Sequence, residues 1–297
     1  MRRLLLRLLA AAIVLAVAGL WITRPRTVDA QRFDAMEGDA EAGEMVFTAA
    51  GCASCHHAPT SEDKLVLAGG QVFPSPFGAF VAPNISTDPQ AGIGGWELVD
   101  LASALRHGTS PEGRHYYPAF PYASYTRMTD RQIADLWAFM QTLPADPTPS
   151  QPHQVGFPFN IRASLGGWKL LFLDDGWVLD EPPSPEVERG RVLVEALAHC
   201  GECHTPRNPL GGLRTDAWLT GAPNPAGKGT IPPLTPAKLD WSAGDIAYYL
   251  ETGFTPDYDT AGGHMVAVIE NFAQLPAEDR EAVAAYLKAL PGGSAEN

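Results

Sequence analysis

The chain has 297 residues, 45% hydrophobic and 19% charged, which excludes a disordered tail and a polytopic membrane protein and suits two modest domains. Its formal charge of −13 argues against nucleic acid as a partner and favours neutral or basic ones. The four cysteines lie in two short clusters, unlike a disulfide framework, while 29 glycines and 27 prolines imply long loops that a bound cofactor would hold.

Arg2, Arg3 and Arg7 precede an uncharged run over 8–22, the layout of an export signal. Ala16-Val17-Ala18 offers a cleavage site, but the apolar run continues through Gly19, Leu20, Trp21 and Ile22 before Arg24 and Pro25. Counted over 4–22, with Arg7 snorkelling, the segment reaches about 28 Å as a helix, one hydrocarbon thickness. The length favours a retained inner-membrane anchor over a removed signal peptide, and both readings put the bulk of the chain on the periplasmic side. Residues 1–30 hold five arginines and one acid, Asp29, so the exported part is more acidic still and suits cationic patches on soluble partners.

The chemistry lies in Cys52-Ala53-Ser54-Cys55-His56 and Cys200-Gly201-Glu202-Cys203-His204. C-x-x-C-H is the attachment signature of c-type haem: two thiols add across the porphyrin vinyl groups and the next histidine offers its imidazole to the iron. A zinc site pooling four thiolates and a thioredoxin-like pair are the alternatives, and neither requires a histidine after the second cysteine in both copies. The doubled motif therefore predicts two covalently bound haems, on Cys52, Cys55 and His56 and on Cys200, Cys203 and His204. His57 and His199 are expected at the surface or beside haem propionates.

The surroundings repeat too. Trp96, Asp100, Leu101, Ala102, Leu105 and Gly108 align without a gap on Trp241, Asp245, Ile246, Ala247, Leu250 and Gly253, which predicts two copies of one amphipathic helix, each ended by its glycine. Helices are predicted upstream of each motif over 42–48 and 187–198, and closing helices over 129–142 and 276–290, with Thr129 as an N-cap. Gly43 and Gly190 would let the first and last helix of each unit cross closely. Pro83-Asn84-Ile85-Ser86 and Pro232-Pro233-Leu234-Thr235 are expected to wall a haem edge. Residues 144–160 read as a semi-rigid proline-rich connector and 161–180 as an apolar packing element between the units, with a partner-docking patch as the alternative. The division is a signal or anchor segment over 1–30, haem domain 1 over 31–143, a connector over 144–180 and haem domain 2 over 181–297.

The helix order, with C-x-x-C-H after the first helix and an aromatic on the last, resembles the class I cytochrome c fold. The chain resembles the multi-haem cytochrome c subunits of bacterial membrane-bound dehydrogenases of the alcohol and gluconate type. The likeness runs from about 38 to 291 and rests on Arg106-His107-Gly108 with 113–122, on Phe157-Pro158-Phe159-Asn160-Ile161-Arg162, on 199–208, and on Gly262-Gly263-His264-Met265. It implies an all-α chain of two tandem cytochrome c domains behind the N-terminal helix, working with redox partners: a dehydrogenase subunit, a cytochrome or an oxidase. Met265, twelve residues beyond Gly253, resembles the thioether ligand of that family. Phe120, twelve beyond Gly108, stands where resembling proteins commonly have Met, and it cannot ligate iron. Met128 is the nearest replacement, with His107, His115 or an open site as alternatives. The leading function is electron transfer from a dehydrogenase or quinol-linked donor. The opposing one is a dihaem peroxidase or sulfur-compound oxidoreductase with haem 1 catalytic.

Overall fold

The computed structural model describes residues 1–225, 227 and 229–291. The first helix, α1 (Arg2–Ile22), has no acidic residue in its first turn and no buried residue. Among the described residues it is the one helix long and apolar enough to cross a membrane. It ends at Thr23, whose Oγ1 donates to the Gly19 carbonyl at 2.8 Å, and Arg24 lies over the Trp21 ring. A single 3-10 turn, Ala30–Phe33, follows.

The first unit comprises α2 (Ala40–Ala49), α3 (Cys52–His56), a hairpin of β1 (Val72–Ser75) and β2 (Gly78–Val81), α4 (Leu98–His107), α5 (Tyr122–Tyr125) and α6 (Asp130–Met140). The connector adds β3 (Gln154–Val155), antiparallel to β2, and α7 (Ser164–Phe172). The second unit repeats the order: α8 (Pro185–Arg191), α9 (Gly201–His204), a pair of short strands β4 (Ala222–Pro223) and β5 (Thr230–Ile231), α10 (Ala243–Thr252), α11 (Met265–Phe272) and α12 (Ala277–Ala289). The frame is helical as the sequence predicts, and the strands are small additions to it.

The repeated helices α4 and α10 open with capping boxes, Glu97 with Asp100 and Ser242 with Asp245. They close on Gly108 and Gly253 in the left-handed region, at φ of +57° and +77°. Thr129 caps α6, accepting from the Gln132 N–H at 3.1 Å. The first and last helices of each unit make its main packing contact, α2 on α6 and α8 on α12. A Cβ at Gly43 would strike the Asp135 carbonyl, and one at Gly190 the Ala282 carbonyl, so glycine sets both crossings. Around them Phe47, Ile133, Leu136 and Phe139 in one unit, and Val187, Leu193, Val283 and Tyr286 in the other, form the cores. Each fully buried aliphatic side chain contributes roughly 1.5–3 kcal/mol relative to exposure.

One stretch departs from the expected single helix. Over Val192–Leu197 the continuation of α8 widens into a π turn. Glu195, buried inside that turn, accepts from the Val178 and Leu179 N–H groups at 2.6 and 3.1 Å and from the Tyr286 hydroxyl at 2.7 Å. These three donors occupy most of the hydrogen-bonding capacity of the carboxyl group.

The units contact each other reciprocally. Helix α11 of the second packs on α2 of the first, while α5 of the first packs on the π turn that follows α8 in the second. The connector is pinned too: the Asn84 side chain donates to the Asp146 and Thr148 carbonyls, each at 2.8 Å, and Ser150 Oγ accepts from the Asn84 N–H at 2.9 Å. The apolar element bridges the units, with Leu165 and Gly166 buried and the Trp168 indole N–H donating to the Leu210 carbonyl at 3.0 Å.

Candidate cofactor sites

Each C-x-x-C-H motif forms a single helical turn, α3 and α9, so its two cysteines point to one side and the histidine follows on the next corner. No disulfide joins the four cysteines. Burial pushes Cys52 and Cys200 up to about 12. Cys55 rises to about 11, by burial first and then by the nearness of Cys203. A thioredoxin-like redox pair depends on a stabilised thiolate, and these environments favour the neutral thiol. Among the described residues no three His, Cys, Asp or Glu side chains converge as a metal cage.

The histidines are held alike. His56 Nδ1 lies 2.8 Å from the Pro83 carbonyl, and His204 Nδ1 lies 2.8 Å from the Pro232 carbonyl. A carbonyl can only accept, so Nδ1 carries the proton and Nε2 keeps its lone pair, the tautomer an iron ligand needs. Burial lowers the proton affinity of both imidazoles, and neutral rings are the ligating form. The return loops match in further detail. The His56 and His204 carbonyls accept from the Gly69 and Gly221 N–H groups at 2.8 and 2.7 Å, and the Leu67 and Leu219 carbonyls accept from Ile85 and Leu234 at 2.9 and 2.8 Å. The proline segments thus orient the histidines through their main chain, a role that goes beyond walling. These two turns, each with paired thiols and an oriented imidazole, have the donor set of c-type haem.

The loops after α4 and α10 also share one bonding pattern. Thr109 bridges His115 as Phe254 bridges Thr260, and the Tyr116 and Ala261 N–H groups donate to the Gly108 and Gly253 carbonyls at 2.7 and 2.8 Å. The gapless alignment therefore holds in the structure as far as Tyr116 and Ala261, four positions before Phe120 and Met265, and Met265 opens α11 half-buried. Phe120 sits among Tyr116, Tyr122 and Tyr125, with ring centroids 5.8, 6.3 and 5.9 Å away. Met128 is 1% exposed, and its carbonyl accepts from Arg106 at 2.5 Å.

Both ring nitrogens of His115 have partners. Its Nε2 donates to the Thr23 carbonyl at 3.0 Å and its Nδ1 faces Lys169 Nζ at 3.1 Å. Burial first, and then the field of Arg106, Arg26, Lys169 and Arg32, disfavours the His107 cation. His57 is held by Ala53 and Gln71, and His199 stacks edge-on against Tyr125 of the other unit, 5.6 Å between centroids. The expectation of a surface or propionate place for His199 misses this contact.

The family model described as cytochrome c matches residues 40–144 and again 187–291. The chain belongs to the cytochrome c family. A "Diheme cytochrome c-type" protein of Cereibacter sphaeroides is 57% identical over 98% of this chain and 99% of its own length. The fructose dehydrogenase cytochrome subunit of Gluconobacter japonicus is 40% identical over 84% of this chain, which spans 52% of that subunit. The gluconate 2-dehydrogenase cytochrome c subunit of Pantoea cypripedii is 32% identical, and the chain spans 58% of it. This cytochrome c accordingly carries two covalently bound c-type haems and is related to the cytochrome subunits of dehydrogenases.

Proposed function

We propose that the protein passes electrons from a membrane dehydrogenase or quinol-linked donor to a downstream cytochrome or oxidase, on the periplasmic side of the inner membrane, with α1 retained as its anchor. The kinship with dehydrogenase cytochrome subunits supports the class of donor, and the length of α1 supports the anchor. In this reading Cys52 and Cys55 hold haem 1 with His56 beneath it, and Cys200 and Cys203 hold haem 2 with His204 beneath it. Met265 closes the iron of haem 2, and Met128 that of haem 1.

A haem held between two axial side chains supplies one-electron chemistry with no vacancy for substrate. The chain's own contribution is to keep each imidazole in its ligating tautomer and to hold the two motifs together. The observation that carries the reading is the matched pair of carbonyls on His56 and His204, because it leaves both imidazoles in the form that ligates haem iron. Met128 is favoured for haem 1 because it is buried, while Phe120 lacks a donor and both His115 nitrogens are engaged.

Optical spectra of the reduced protein with and without carbon monoxide test this. The wild type should be inert, and Met128→Ala and Met265→Ala should each open one haem to the gas, with the potential of that haem lowered. Carbon monoxide binding at half the haems of the wild type would overturn the carrier assignment for haem 1.

A further inference from the structure

We propose that residues 156–172, with Leu210 beside them, form a second contact with the bilayer, lying in the headgroup region of the leaflet from which α1 emerges. The inference rests on the retained anchor proposed above. Phe157 is 82% exposed, and Leu170 and Leu171 on α7 are 61% and 67% exposed, with Ile161 and Leu210 exposed as well. Helix α7 spends its other face on the protein: Leu165 and Gly166 are buried, Trp168 bonds the Leu210 carbonyl, and Phe172 lies against Gly212. Exposed leucines on a helix whose remaining face is committed are an apolar surface without a protein partner.

The position of this surface selects its occupant. Thr23 is the first residue beyond α1, and its carbonyl accepts from His115 Nε2 at 3.0 Å. A Cβ at Gly166 would strike that same carbonyl, so α7 begins against the end of α1. The segment is tied to this point twice more, by Arg162 donating to the His115 carbonyl at 2.9 Å and by Lys169 reaching His115 Nδ1. Its main chain is also held by Tyr117, whose hydroxyl donates to the Phe159 carbonyl at 3.3 Å. A helix that spans the hydrocarbon puts Thr23 at the interface, and everything fastened to Thr23 is held there with it.

Charge agrees. The chain is acidic overall, yet Arg24 and Arg26 are exposed just past α1, so cations are the first charges to meet the lipid phosphates there. Leucine and phenylalanine interleaved with arginine at the end of a spanning helix is the composition of an interfacial segment.

The test uses the full haem-loaded chain in vesicles of phosphatidylethanolamine and phosphatidylglycerol. Nitroxide labels go on Leu171→Cys and, separately, Phe157→Cys, with Tyr258→Cys, an exposed site in the second unit, as the reference. Accessibility to oxygen against a water-soluble nickel chelate is read in the reduced, low-spin protein, whose haem spectrum certifies folding. Both segment labels should favour oxygen and report a depth of about 5–10 Å within the headgroup boundary, while the Tyr258 label favours nickel. Labels at Leu171 and Phe157 that favour nickel in vesicle-bound protein overturn the proposal and leave the anchor intact. Labels shielded from both reagents would mean a second copy covers the face, which also overturns it. Loss of the whole chain from the vesicles into buffer would instead reject the anchor on which the proposal rests.

Discussion

Ser54 and Glu202 stand at the same place in the two C-x-x-C-H motifs, and each is bonded to the unit that does not contain it. Asn271 Nδ2 donates to Ser54 Oγ at 2.9 Å, and Ser124 Oγ donates to Glu202 Oε1 at 3.3 Å. Asn271 belongs to α11, and Ser124 to its counterpart α5, so the exchange is reciprocal.

Removing the Asn271 amide tests how much this exchange holds. Asn271→Ala should cost about 0.5–1.5 kcal/mol of stability, the usual net worth of a partly buried hydrogen bond. Calorimetry of the haem-loaded protein reads the loss as a lower Tm. An unchanged Tm would mean that water replaces the amide without penalty.

The helix crossings give a sharper contrast. Gly43→Ala and Gly190→Ala push a methyl into a facing carbonyl and should each destabilise by about 1–3 kcal/mol. Gly167→Ala, with nothing within 4 Å of the added methyl and a helical position, should be neutral or stabilising by up to about 1 kcal/mol. Denaturant midpoints at constant slope compare the three, and equal effects would reject close crossing as the reason for glycine.

Lys169 predicts a pH dependence. Its Nζ donates to the His107 and Gly108 carbonyls at 2.6 and 2.7 Å and so caps α4, yet burial pulls its proton affinity down to about 7. An unfolded lysine keeps its proton to about 10.4, so between those values the unfolded chain binds more protons and stability rises with pH. Lys169→Met should lower stability through the orphaned carbonyls and flatten that rise. A slope as steep as that of the wild type across the same window would remove Lys169 as its source.

The alignment of Phe120 with Met265 offers a rescue. In a Met128→Ala background, Phe120→Met puts a thioether where the second unit has one, and the haem should again be low-spin and inert to carbon monoxide. Persistent gas binding would show that the first loop cannot bring position 120 to the iron.

Much of the frame was legible because it is written locally. The apolar spacing and end glycines of α4 and α10, the Thr129 cap and the small residues at the crossings each act within a turn or two of chain. The contact of Ser54 with Asn271 spans 217 positions and leaves no periodic trace. Glu195 reads as an ordinary helical acid until Val178, Leu179 and Tyr286 are seen around it. His115 looked available to iron because Thr23 and Lys169, which occupy its nitrogens, lie 92 and 54 positions away. In the sequence Pro83 and Pro232 read as walls, but a carbonyl's aim is set by backbone geometry that side-chain identity does not encode.

The reciprocal packing of α5 and α11 also fixes how the two haem sites meet. Held by contacts on both sides and by a connector pinned at Asn84, they stay together at the high effective concentration of an intramolecular pair. An electron crossing between them needs no diffusive search and no swing of a linker, so its rate should be indifferent to dilution and to solvent viscosity. Encounter kinetics then belong only to the outward faces, where the molecule meets whatever fills and empties it.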